Sequence, residues 1–200
     1  PYIIKTENDF KSIQDGIKGG ESYKNKYFRL ESDIKLSSSW EPLGTLKERA
    51  DKPGNGTNIL PFSGNIDGNG HTLTFAKGSK PLFGYVRDAK VSNLNIFGTY
   101  IDGYGLVENY VVDYGKDGKN WTDDDPKAVI TAEKVTIKSG TRIHQSGFLG
   151  GYASGIDHAD FTNCTIEQGV TIGCNIDGTS AGLSNIGSFG GALNGTIKNC

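Results

Sequence analysis

Two hundred residues with 21 Lys and Arg against 23 Asp and Glu carry a formal charge of −2, which leaves no bulk basic surface for displacing counterions from a nucleic-acid backbone. No apolar run reaches the roughly 20 residues that span a bilayer as a helix. Twenty-nine glycines would suit a disordered chain, but Val, Ile, Leu, Phe and Tyr recur between them at regular spacing, as a packed core requires.

The first element is a short helix. Thr6-Glu-Asn-Asp9 has the form of a capping box, and Phe10, Ile13 and Ile17 follow at i, i+3 and i+7 before Gly19-Gly20. Residues 1–25 are therefore expected to form an N-terminal cap, with strands from about Tyr27 onward and one repeating domain over 26–200. Trp40, in Trp-Glu-Pro-Leu-Gly, is expected to be structural. A first excursion from the repeat is expected at about 45–60, where Pro53-Gly54 and Asn55-Gly56 signal turns. Asp67-Gly68-Asn69-Gly70 predicts a tight turn supplied with positive φ, with His71 beside it.

A phrase with a fixed grammar then recurs: Ala89-Lys-Val91-Ser-Asn93-Leu94-Asn-Ile96, Ala132-Glu-Lys-Val135-Thr-Ile137, Phe161-Thr-Asn163-Cys164-Thr-Ile166 and Ile197-Lys-Asn199-Cys200. Apolar and polar residues alternate, and then Asn (Lys134 in the second copy) shifts the register by one, as a left-handed residue at a bend does. Three copies follow a small-residue stretch holding an aromatic: Leu82-Phe83-Gly84, Gly147-Phe148-Leu149 and Ser188-Phe189-Gly190. Inward aromatics with glycines that permit positive φ and close backbone approach predict an all-β solenoid of stacked coils. The last phrase stops in mid-repeat and the chain has no Met, so it is expected to be a segment of a longer product with further coils beyond Cys200. Cys164 and Cys200 take the inward site of Leu94 and Val135, which predicts buried, stacked free thiols acting as small hydrophobes.

The second excursion, about 104–127, is the candidate site, because solenoid function gathers on such insertions. Tyr104, Tyr110, Tyr114 and Trp121, with Tyr100 nearby, supply ring faces, and neighbouring Asp and Asn supply polar groups, the mix that suits a sugar. The alternative is that the rings fold the excursion against the coils. Asp113, Asp117, Asp123 and Asp124 have in part the spacing of a calcium loop, but Gly115 stands at position 3 and an Asp at position 12. A hydrated acidic turn is favoured there over bound Ca²⁺, and no other cofactor is expected.

Phe62-Ser-Gly64-Asn-Ile66-Asp67-Gly68-Asn69-Gly70-His71-Thr72-Leu73 resembles the opening of the glycine-rich GLUG repeat of bacterial surface and secreted proteins, and Leu82-Phe83-Gly84 through Ile96 is similar to its next coil. Phe28-Arg-Leu30 through Ile34-Lys-Leu36, with Trp40 to Gly44, is similar to its entry segment. The resemblance implies a right-handed, single-stranded parallel β-helix of the pectin-lyase-like kind with an N-terminal helical cap. It further implies an extracellular or cell-surface location and a role as stalk, adhesin or glycan-binding scaffold, with a polysaccharide, host glycan or surface protein as partner. Such coils also occur in polysaccharide lyases and glycoside hydrolases and beside surface peptidases, and a fold does not fix an activity.

For the enzyme alternative, Asp67, Asp88, Asp157 and Asp160 are the acids on the coils, with Arg87, Arg142 and His144 as bases or charge stabilisers. The paired-Asp, Gly-His-Gly and Arg-Ile-Lys signatures of polygalacturonases are absent. For a zinc peptidase the chain lacks His-Glu-x-x-His, and only His71, His144 and His158 are present. No catalytic residue is assigned, and a non-catalytic module is the expectation.

Overall fold

The computed structural model describes residues 1–48, 57–110, 130–149, 158–183, 186–190 and 194–200. In chain order its elements are β1 (Tyr2–Ile4), α1 (Glu7–Lys18), β2 (Tyr27–Leu30), β3 (Ile34–Leu36), β4 (Thr45–Glu48), β5 (Thr57–Leu60), β6 (Asn65–Asp67), β7 (Thr72–Phe75) and β8 (Phe83–Val86). There follow β9 (Ala89–Gly98), β10 (Val107–Tyr110), β11 (Ile130–Ile137), β12 (Arg142–Ile143), β13 (His158–Thr162), β14 (Thr165–Ile166), β15 (Thr171–Ile172) and β16 (Asn194–Lys198). The described residues are mostly β, with one helix and a large parallel sheet.

That sheet has 10 strands, in the order β1-β2-β6-β9-β11-β13-β16, with β3, β7 and β14 continuing it beyond the bends. Its register stacks like on like: Phe28 pairs with Ile66, Ile66 with Val91, Val91 with Ala132 and Ala132 with Phe161. Ile34, Leu73, Ile96 and Ile137 form a second such row past the bend. All of these are buried, and each large aliphatic or aromatic among them contributes about 1.5–3 kcal/mol. Two further parallel columns share the core. Leu43, Phe83, Val107, Leu149 and Gly190 bridge in series, as do Ser79, Ile101, Ile143 and Ile172.

The bend between the two rows is the left-handed residue expected from the repeat. Asn93, Lys134, Asn163 and Asn199 have φ of 51°, 54°, 54° and 53°. Because one αL residue interrupts the alternation, Val91 and Leu94 both face inward, as do Ala132 and Val135. Lys134 is the one copy without Asn. Its side chain is exposed and makes only a 3.7 Å surface ion pair with Glu133, which is worth little. Lys134→Asn is therefore expected to raise stability by about 0.5–1 kcal/mol, since Asn tolerates αL better than Lys does. Urea unfolding of the two proteins is the check, and an unchanged or lower midpoint counts against the bend as a point of strain.

Helix α1 covers one end of the core. Its capping box is formed, with Asp9 N–H donating to Thr6 Oγ1 at 3.4 Å and Thr6 N–H to Asp9 Oδ2 at 2.8 Å. Phe10, Ile13 and Ile17 are buried, and Phe10 meets Trp40 edge-on. Trp40 is structural: it is 4% exposed, and its Nε1 donates to Pro81 O at 2.9 Å.

Three boundaries differ from expectation. Tyr2–Ile4 pairs in parallel with Phe28–Leu30, so a strand precedes the helix, and its three residues are too few to display alternation. Thr45–Glu48 and Thr57–Leu60 form an antiparallel hairpin, so the first excursion has ordered legs. Val107–Tyr110 pairs in parallel with strand β8, and Leu106 and Val107 are buried. The stretch expected to open the second excursion at about residue 104 is therefore part of the packed structure through Tyr110.

Candidate functional site: the outer face of the parallel sheet

The polar positions of the main sheet are stacked as regularly as its core. One outward row runs Tyr27, Asn65, Lys90, Thr131, and a second runs Arg29, Asp67, Ser92, Glu133. Between the rows the backbone of the inward-facing residues forms a floor. The result is an open cavity of about 550 Å³ spanning β2, β6, β9 and β11. Neighbouring parallel strands lie about 4.8 Å apart, so the groove presents a new pair of side chains at each such step.

Its electrostatics are mixed and largely satisfied on one side. Asp67 Oδ1 accepts from Asn69 N–H at 2.9 Å and from Asn93 Nδ2 at 3.0 Å, while Oδ2 faces Arg29 Nε at 4.0 Å. Arg29 in turn donates to Asn69 Oδ1 at 2.7 Å, and Asn69 Nδ2 donates to Leu30 O at 3.2 Å. The Asp67 carboxylate is thus oriented through Oδ1 by the bend, while Oδ2 accepts no hydrogen bond among the described residues. Lys90, by contrast, is exposed and has no ion pair among the described residues. Tyr27, 62% exposed, offers a free ring face.

The turn at Asp67–Gly70 carries the positive φ that its sequence signature predicts. The positive φ falls on Asn69 (52°) and Gly70 (80°). Gly68 is required for another reason: a Cβ there would stand 2.6 Å from Asn93 O and 2.7 Å from Leu94 Cα. His71 lies beside the turn, its Nδ1 3.3 Å from Asp33 Oδ1. Asp33 is held below the usual carboxylate range, chiefly because Thr72 N–H donates to it.

Of the aromatics expected to bind sugar, Tyr104 is half-buried. Tyr110 closes β10 opposite Val86. Tyr100 is 6% exposed and packs edge-on to His144 at 6.2 Å, a structural role. Tyr114 and Trp121 lie outside the described residues, as do Asp113, Asp117, Asp123 and Asp124 of the calcium expectation. Among the described residues no group of three or more His, Cys, Asp or Glu is placed to hold a metal.

The acids and bases of the enzyme alternative are scattered. Asp88 occupies a left-handed turn, and Asp160 accepts from Thr196 N–H at 3.2 Å. Arg142 Nε donates to Thr99 O at 3.0 Å, His144 Nδ1 lies 3.1 Å from Cys174 O, and Asp157 is outside the described residues. Arg87 Nε is buried without a hydrogen-bond partner among the described residues. Among those of them that are described, only Asp67 lines the groove. The groove's other residues carry no motif, because their order in space comes from pairing between distant strands. Among the described residues no helix is long and apolar enough to cross a membrane.

No protein-family model, curated protein or solved structure matches this chain.

Proposed function

We propose that the chain is a right-handed parallel β-helix of GLUG-like character, secreted or displayed on a bacterial surface, and that it serves as a non-catalytic scaffold binding carbohydrate. The winding is supported by three parallel columns around one core, visited by the chain in the same order. The binding role rests on one observation above the rest. The groove over four parallel strands combines an exposed ring (Tyr27), a cation without an ion pair among the described residues (Lys90) and hydroxyl and amide groups (Asn65, Ser92, Thr131), a set that fits the CH faces and hydroxyl rim of a sugar chain.

Tyr27→Ala and Lys90→Ala are each expected to weaken binding of an oligosaccharide about tenfold, or about 1.4 kcal/mol, with no loss of stability because both side chains are exposed. Calorimetric titration against a panel of neutral and acidic oligosaccharides checks this. Retained affinity in both variants moves the site elsewhere, first to the ring set of Tyr104, Tyr110, Tyr114 and Trp121. Trp121→Ala and titration with and without Ca²⁺ test that set and the Asp113–Asp124 loop.

One observation favours a second function, polysaccharide cleavage. Asp67 and Glu133 occupy the same row two strands apart, about 9.6 Å by ladder spacing, close to the separation of an inverting acid–base pair. Against it stands the scatter of the other candidate acids and bases: Asp160, Arg142 and His144 lie away from this groove. Chromatography of polysaccharides after incubation decides: shortened products overturn the non-catalytic assignment.

A further inference from the structure

We propose that Cys164 and Cys200 are a dithiol pair that closes to an intrachain disulfide by exchange with a low-molecular-weight disulfide, fastening β16 to β13, its neighbour in the sheet. Both cysteines directly follow a left-handed Asn at the bend, at φ 54° and 53°. Thr162 and Lys198, two residues earlier, are register partners in parallel strands. Asn163 N–H donates to Lys198 O at 2.9 Å, and Cys164 N–H donates to Cys200 Sγ at 3.3 Å. The two cysteines are thus stacked neighbours, with a Cα separation of about 4.8 Å by ladder spacing, inside the range of disulfides. Cys174 belongs to a different part of the fold, where its Sγ donates to Ile143 O at 3.6 Å.

The two thiols differ in the way that sets an order of attack. Cys164 is fully buried, its Sγ donating to Ala132 O at 3.4 Å, and burial pushes it up to about 11. Cys200 is exposed. The Cys200 thiolate attacks one sulfur of the external disulfide RSSR, forming a Cys200–SR bond and expelling RS⁻. Rotation about the Cα–Cβ bond of Cys164 then turns its Sγ from Ala132 O toward Cys200. Cys164 displaces the second RS⁻, and the protons of both thiols end on the two departing thiolates, so two Cys–SH and RSSR become one Cys–S–S–Cys and two RSH. A shift of a few tenths of an ångström between β13 and β16 brings the Cβ atoms from the ladder spacing to the upper end of the disulfide range.

The reduced 200-residue chain is incubated with oxidised glutathione at about pH 8, near the free cysteine range. Expected are loss of two of the three free thiols, a Cys164–Cys200 link assigned by fragmentation mass spectrometry, and a melting temperature higher than that of the reduced chain by roughly 5–10 °C. Cys164→Val places there the residue type of Val135 in the strand below, and it is expected to leave Cys200 as a lasting mixed disulfide. The proposal is overturned if the wild-type chain stops at a glutathione adduct on Cys200, links Cys200 to Cys174, or joins two copies through Cys200. The wild-type mapping stands by itself if the variant does not fold.

Discussion

Replacing Gly105 with Ala is expected to destabilise the protein by about 3 kcal/mol, at the upper end for a single added methyl. The methyl would lie 1.8 Å from Gly147 O and 3.0 Å from Gly147 C. Both contacts are backbone, so no side-chain rotation relieves them. Gly105 N–H also donates to Ser146 O at 3.2 Å, and the neighbouring Leu106 and Val107 N–H groups both donate to Phe148 O. Moving the strand away to make room would stretch this whole set. Gly147 repeats the arrangement one level on, where a Cβ would stand 2.0 Å from Ser188 O. Gly70 is the control. Its φ of 80° is positive but nothing lies within 4 Å of its Cβ position, so Gly70→Ala is expected to cost only about 1 kcal/mol of conformational strain. Urea midpoints for the two variants separate close approach from backbone freedom, and a Gly105→Ala protein within about 1 kcal/mol of wild type would sink the close-approach account.

This distinction marks how far the amino-acid order carries. The repeated phrase is local, so the bends at Asn93, Lys134, Asn163 and Asn199 could be placed from spacing alone: two inward residues three apart leave one residue that must turn. The cap at Thr6 and Asp9 is equally local. Gly68, however, looks like half of a turn dipeptide, and only the position of Leu94 in the adjoining strand shows why a side chain cannot stand there. Strand β1 and the start of the second excursion were hidden for a related reason, since three or four residues take their conformation from the parallel neighbour they pair with.

The groove was the least legible feature. Tyr27, Lys90 and Glu133 are each the ordinary outward residue of an alternating strand, and nothing near them in sequence distinguishes them from a solvated face. They meet because Ile66 and Val91 stack across 25 residues and Val91 and Ala132 across 41. Composition drew attention instead to the aromatic and acidic excursion, where ring and carboxylate types are concentrated in one stretch. A solenoid-like repeat spreads a binding surface thinly along its sequence, so clustering by residue type finds insertions more readily than faces.

Phe62→Ala is expected to cost about 3–5 kcal/mol, the range for removing a buried aromatic ring. Phe62 is 0% exposed, stacks on Phe83 at 5.5 Å and meets Phe28 at 6.0 Å and Tyr23 at 6.5 Å. Its backbone ties in the adjacent level as well, with its N–H donating to Tyr85 O at 2.9 Å and its carbonyl accepting from Arg87 N–H at 3.0 Å. The ring therefore links neighbouring strands beneath the groove to the column that holds Phe83. A second substitution makes the test specific to this ring. A Cβ on Gly64 would stand 2.7 Å from Phe62 Cζ, with the Phe28 ring next at 3.2 Å, so Gly64→Ala should destabilise the wild-type protein through crowding. In a Phe62→Leu background the nearest obstacle is gone, and the same change should cost less by about 1 kcal/mol or more. Four urea titrations close the cycle. Additive effects would mean that Phe62 does not occupy the space above Gly64, and the proposed aromatic stacking through the core would fall with it.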